Sequence, residues 1–220
     1  MAAIDSYTDF YPLMAAELPG CPEYLMLQAL KRVARKFCQD SDAWRVQLDS
    51  IDLVEKQLAY VLTPLSGGTT WGAQIKHVLA VRINTEDGID KGNPGVLISQ
   101  PYYTFYPTDT TRINASIAAN TLLLDDSLEP AEDVTDGLEV EVVLVPELNE
   151  DDTEIDMDFL AMWSEAIIGG AIAYLMTMKK RRWTDIQRAG LFQADFNKGV
   201  SRARKVNIGG GKSDFVGLSA

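Results

Sequence analysis

Hydrophobic positions change their spacing twice along the chain, dividing it into helical ends and a β-structured middle. After Pro19-Gly20-Cys21-Pro22, apolar residues fall at Met26, Leu30, Val33 and Phe37, while Lys31, Arg32, Arg35 and Lys36 lie largely off that line. The spacing predicts an amphipathic helix over residues 23 to 40. A shorter helix from Tyr7 to Leu18 precedes it, closed by the Pro-Gly pair. From Ala43 the period falls to two. Trp44, Val46 and Leu48, then Leu58, Tyr60 and Leu62, then Leu79, Val81 and Ile83 alternate with polar residues, as strands do. Further strands are expected at Val96 to Ser99, Tyr102 to Tyr106, Thr121 to Leu124 and Leu138 to Val145. Gly67-Gly68, Asp87-Gly88, Gly92-Asn93-Pro94-Gly95 and Asp136-Gly137 supply turns at antiparallel spacing. No helical period interrupts residues 43 to 146, which argues against a parallel βαβ sheet and for an antiparallel sandwich or small barrel.

After Val145-Pro146 helical spacing returns in two blocks, Asp156 to about Lys180 and Asp185 to about Asn207. The second carries Ala189, Phe192, Phe196, Val200 and Ala203 on one side, with Thr184 or Asp185 as its cap. Gly169-Gly170 in the first block lets a neighbouring helix approach closely. Residues 208 to 220 contain Gly209-Gly210-Gly211 and then Phe215-Val216-Gly217-Leu218, with no helix or sheet of their own expected. The N-terminal stripe is too narrow to make a core alone, so helices distant in sequence must pack together. The expected fold is α+β, a helical bundle formed by the N- and C-terminal helices with an inserted antiparallel β domain and an extended C-terminal arm. Its bounds are 1–42, 43–146, 147–207 and 208–220.

Composition removes several classes. A 220-residue chain with 46% hydrophobic residues removes roughly 70% of its extended surface from water on folding, so it needs neither disulfides nor a metal for stability. Cys21 and Cys38 stand at either end of the first long helix. At ~1.5 Å rise per residue they are too far apart to pair. Two reduced thiols fit a reducing compartment, and the start, Met1 to Asp9, has neither the basic nor the apolar stretch of a secretory signal. The expected place of synthesis is the cytoplasm. Residues 159 to 178 imitate a membrane span, followed as they are by Lys179, Lys180, Arg181 and Arg182. Glu165 and the glycine pair count against that, and a buried helix is expected.

Charge is segregated. The net charge is −12, which argues against a surface that grips nucleic acid as a whole. Between Ile113 and Met178 stand sixteen acids and no Lys or Arg; from Lys179 to Lys212 stand ten bases against Asp185 and Asp195. Such runs are ordinarily solvated faces. Two complementary blocks on one chain also fit electrostatic contact between copies or with partners. The basic candidates are Lys179, Lys180, Arg181, Arg182, Arg188, Arg202, Arg204 and Lys205. The acidic ones, at an interface or lining a channel, are Glu139, Glu141, Glu150, Asp151, Asp152 and Glu154.

Catalytic chemistry is thin. His77 is the only histidine; its alternation places it with Leu79 and Val81 toward the core, in a structural role. It has no metal-ligand spacing with Cys21 or Cys38. Gly209-Gly210-Gly211-Lys212-Ser213 imitates the end of a phosphate loop, but Val206 stands where the first glycine belongs. The acids of residues 150 to 158 lack the glycine and terminal Glu of a calcium loop and read as helix N-terminal charge. The aromatic run Tyr102 to Tyr106 carries no interleaved bases and reads as core or interface rather than a stacking platform. No catalytic residue, metal or cofactor is expected, and the chain is not read as an enzyme.

Three segments near the N-terminus have a familiar order: residues 10 to 22 (Phe-Tyr-Pro-Leu-Met-Ala-Ala-Glu-Leu-Pro-Gly-Cys-Pro), the helix end Ala34-Arg35-Lys36-Phe37-Cys38, and Ala43-Trp44-Arg45. Together with Gly169-Gly170-Ala171, Trp183-Thr184-Asp185 and a last helix trailing into an arm, they resemble the head-to-tail adaptor (connector) proteins of tailed bacteriophages, of the tail tubular protein A-like kind. The resemblance covers the helical ends and the order of elements. The β insertion matches only in type and position, and the acidic stretch before the penultimate helix departs from the family. The resemblance implies a structural virion protein of the head-tail junction. It implies a homo-oligomeric ring, usually of twelve copies, below the portal protein, onto which a tail or nozzle protein docks. Genome DNA would pass through without specific binding, and no membrane would be involved. The arm residues Ile208, Phe215, Val216 and Leu218 would bind the portal. A neck or tail-completion protein of a long-tailed phage is the near alternative. A membrane-anchored protein using residues 159 to 178 is the alternative of another class.

Overall fold

The computed structural model describes residues 6–66, 69, 70, 72–83, 116–118, 120–124, 130–147 and 157–209. The chain combines α-helices with antiparallel sheet and divides into two units, one of Met1–Ala43 with Pro146–Ala220, the other of Trp44–Val145. Of the expected elements, the strands at 96–99 and 102–106 and the turns at 67–68, 87–88 and 92–95 lie outside the described residues.

The helical unit opens with a 3₁₀ turn, Tyr7–Phe10, in which Ser6 and Asp9 form a reciprocal cap: the Ser6 side chain accepts from the Thr8 amide and the Ser6 amide donates to Asp9. Helix α1, Tyr11–Glu17, follows directly with Pro12 in its first turn, where a missing N–H costs nothing. Helix α2, Glu23–Ser41, ends at Asp42, which takes a left-handed φ of 54°. Its apolar stripe is buried as predicted, from Met26 through Leu30 and Val33 to Phe37. Lys31, largely off the predicted stripe, is buried as well. Helix α3, Met157–Met176, is apolar all round in its second half, and there it is covered on nearly every side. Helix α4, Ile186–Gly209, is held at its start by Asp185, whose carboxylate accepts from the Arg188 amide at 3.0 Å.

Helix α3 packs on both α2 and α4. At Gly170 an added Cβ would stand 2.6 Å from Phe196 and 2.7 Å from Val33, so this glycine lets three helices meet at one level. Gly169 makes only ordinary contact with Phe192. At one end Arg204 donates to the Asp40 carbonyl and Arg35 to that of Pro146, each at 2.5 Å. Among the described residues of α4, Ala189, Phe196, Val200 and Ala203 are buried, Phe192 is half-buried, and most of the others are exposed.

In the β unit, β1 (Arg45–Gln47) and β2 (Ile51–Leu53) run antiparallel to successive stretches of β9 (Val134–Pro146), with Arg45 opposite Val143 and Ile51 opposite Leu138. Strand β6 (Ala73–Ile83) pairs with β9 as well. Strands β3 (Ala59–Val61), β8 (Thr121–Leu123) and β7 (Ser116–Ala118) form a second antiparallel sheet. Strands β4 (Leu65–Ser66) and β5 (Thr69–Thr70) pair with each other. Asp136-Gly137, expected to be a turn, lies inside β9. The register shifts there opposite β2, Asp136 takes φ 53°, and a Cβ on Gly137 would meet Leu53 at 2.8 Å. That is a β-bulge, which uses the same residue types as a turn. Strand β6 also departs from strict alternation. Ala73, Val78 and Val81 are buried, while His77 and Leu79 are half-buried, so His77 does not share the Val81 position in the core.

Tyr7 is buried, and burial pushes its phenol above the ordinary 10.0, with Cys38 adding to the rise. Below pH 10 both folded and unfolded chains hold this proton, and the tyrosine's contribution to stability is complete. Above it the unfolded chain gives up the proton first, so stability falls by about 1.4 kcal/mol per pH unit for this group. Tyr7→Phe is expected to flatten the decline of the urea midpoint above about pH 10. An unchanged slope would assign the alkaline loss to other groups.

Candidate interaction surface

The predicted basic block occupies two places on the helical unit. The first is the turn between α3 and α4. Helix α3 stops at Met176, short of the predicted Lys180 boundary, and Lys180 takes a left-handed φ of 61° in the turn that follows. Thr184 staples the turn, its hydroxyl donating to the Met178 carbonyl and accepting from the Arg181 amide. Trp183 is buried, and the Arg181 guanidinium lies 5.9 Å from its ring centroid. Burial pushes the Cys21 thiol up, with Arg181 pulling the other way. Trp183 is buried in this turn, while Lys179, Lys180, Arg181 and Arg182 are exposed. Among the described residues Lys179, Lys180 and Arg182 have no ion pair.

The second place is α4. Arg188 is paired with Glu17 and lies over Phe192, and Arg204 is engaged with the Asp40 carbonyl, so these two help hold the helix in place. Arg202, Lys205 and Lys198 are exposed. Lys198 meets Asp195 at 2.9 Å with both side chains in water, where such a pair contributes at most about 1 kcal/mol. Exposed Ile186, Leu191 and Val206 accompany these cations.

Of the predicted acidic residues, Glu139 and Glu141 are among the described residues. Glu139 and Glu141 are half-buried on β9, Glu141 opposite Gln47, because strand alternation sets them between buried Leu138, Val140 and Val142. Glu150, Asp151, Asp152 and Glu154 lie outside the described residues, as do the arm residues Phe215, Val216 and Leu218. Ile208 is in the last turn of α4, with its side chain outside them.

Two features had no individual signal in the sequence. The first is a groove of about 460 Å³ over α3 between α2 and α4, floored by Gly170 and Ala173 and bordered by Arg32, Lys36, Ile186 and Gln193. Arg32 donates to the Tyr174 hydroxyl at 3.2 Å and lies 4.9 Å from that ring's centroid, which fixes one wall. The second is an exposed methionine, Met162, in the first half of α3. Periodicity would find neither, because α3 is apolar over most of its circumference.

Among the described residues, no group of three His, Cys, Asp or Glu is placed to hold a metal ion. Cys21 and Cys38 are buried and form no disulfide. No helix among the described residues is long and apolar enough to cross a membrane, and α3 is packed between two other helices. No family model and no curated protein matches this chain. The surface is therefore read from its chemistry: a cation-rich turn, a cation-rich helix with exposed apolar residues, and acids elsewhere on the same chain.

Proposed function

We propose that the chain is a structural adaptor that assembles as a ring on the portal vertex of a tailed bacteriophage, extends the DNA channel and offers a docking surface to a tail or nozzle protein. In this reading the helices flanking residues 44 to 145 form one bundle into which the β unit is inserted, and the arm after α4 reaches the portal through Phe215, Val216 and Leu218. The observation that carries it is the segregation of charge along one chain, with the cations of its last part exposed. A cyclic assembly needs two different, complementary patches per subunit. Exposed cations on and before α4, with acids concentrated before them in the sequence, supply such patches. The net charge of −12 also favours a channel through which a duplex slides without adhering. The proposed role is binding and assembly rather than catalysis, in a virion built in the host cytoplasm.

Negative-stain microscopy of the purified chain with and without portal particles tests this reading. Rings on the portal vertex are the expected result. A monomer that leaves portals bare would overturn it.

A further inference from the structure

We infer that the helical unit carries both halves of one copy-to-copy contact: Asp158, Met162 and Glu165 on α3 of one copy seat against Leu191, Lys198 and Arg202 on α4 of the next. This deepens the ring reading and rests on it.

Each half is a line along one side of a helix. Residues 158, 162 and 165 are separated by four and three, and residues 191, 198 and 202 by seven and four, so each set shares a face. All six are exposed. Each line has a large apolar side chain in water, Met162 at 73% and Leu191 at 69% exposure. The flanking charges are opposite. No Lys or Arg occurs anywhere from residue 113 to 178, so the α3 line is acidic without local neutralisation by a base on its own helix. By the same spacing Asp195, four after Leu191 and three before Lys198, also stands on the α4 line, which therefore carries two bases and one acid; Asp195 holds Lys198 only by an exposed, readily exchanged pair.

A nucleic acid is the poorer occupant for the α4 line. Leu191 stands on it, and the chain as a whole repels polyanions. The partner surface with matching apolar area and opposite charge is present on the chain itself. Because the two lines are different surfaces, the contact is head-to-tail, the kind that closes rings and cannot close a two-fold dimer by a single use. Opposite charge then sets orientation, while Met162 and Leu191 supply the area that is dried.

The test is a charge exchange. Asp158→Lys with Glu165→Lys makes one variant, Lys198→Glu with Arg202→Glu the other, and circular dichroism confirms that each keeps its fold. Portal occupancy by microscopy and self-association by sedimentation velocity are measured for wild type, each variant and an equimolar mixture. Each variant alone is expected to need at least about tenfold more protein to assemble, because like charges then face each other. The mixture is expected to recover wild-type assembly, which a merely damaged protein would not do. Wild-type rings that both variants form equally well, or a loss that mixing does not rescue, overturn the contact and leave the ring standing. A wild type that remains monomeric and ignores portals overturns the ring and the contact together.

Discussion

Phe37→Ala is expected to destabilise the helical unit by about 3–5 kcal/mol, a large part of the roughly 5–15 kcal/mol that holds a typical domain folded. Phe37 is fully buried, and its ring meets three others, Phe159 at 6.2 Å edge-on, Trp163 at 5.4 Å and Phe196 at 6.1 Å edge-on. These rings come from α3 and α4 as well as from α2, so truncation leaves a void at the level where three helices converge. The void cannot close by a simple shift of one helix, because α3 and α4 are already in contact beside it at Ala166 and Gly199. Urea denaturation followed by far-ultraviolet circular dichroism measures the loss. Phe37→Leu keeps most of the volume and is expected to lose less than half as much. A Phe37→Ala midpoint close to wild type would mean that the three-helix junction contributes little to stability. The consequence for assembly follows from the same packing: Phe196 fixes the inner side of α4, and that helix presents Leu191, Lys198 and Arg202 outward.

Helices were the most legible part of the fold. The α2 stripe recurs at helical spacing with bases beside it, and the predicted 23 to 40 differs from Glu23–Ser41 by one residue. Asp185 was readable as a cap because a short acceptor stands immediately before the α4 pattern. The predicted helix over residues 7 to 18 is a 3₁₀ turn followed by α1, a distinction made by the Ser6–Asp9 cap and not by hydrophobic spacing. Strands were found where one face is covered for several residues. Strands β4 and β5, at two residues each, are too short to show a period; β2, as long as the predicted β1, β3 and β8, lacks flanking residues that continue an alternation. Asp136-Gly137 was misread as a turn because turn and bulge favour the same residues, and only the Leu53 contact separates them.

The candidate surface was legible as composition but not as geometry. Counting bases between residues 179 and 212 located the cationic region. It did not tell that Arg188 and Arg204 face Glu17 and Asp40 while Arg202 faces solvent. The acids were assigned by the same count, to an interface or a channel, and the count did not tell that Glu139 and Glu141 are half-buried on β9. Asp158 and Glu165 lay in the same acidic run. Their helix is apolar nearly all round, so its pattern did not mark which side the neighbouring helices leave open.

Two glycines of α4 carry the same intrinsic penalty and are expected to respond in opposite directions to one added methyl group. Each costs a helix interior about 0.5–1 kcal/mol relative to alanine. At Gly190 nothing lies within 4 Å of an added Cβ, so Gly190→Ala should recover that amount. At Gly199 the added Cβ would stand 2.4 Å from the Ala166 Cβ, and an alanine has no rotamer by which to move away. The helices must part, which separates Phe196 from Phe37 and Val200 from its neighbours. Overpacking of that kind costs about 1–3 kcal/mol, enough to exceed the gain in helix propensity. Gly199→Ala is therefore expected to lower the urea midpoint and Gly190→Ala to raise it, with the denaturant slope unchanged in both. Adding Ala166→Gly to Gly199→Ala should restore most of the loss, since it removes the opposing methyl, although it introduces a glycine penalty in α3 of its own. Equal stabilisation by both alanines would place α3 and α4 farther apart than this contact allows, and the outward face of α4 would then have no fixed orientation from which to meet a second copy.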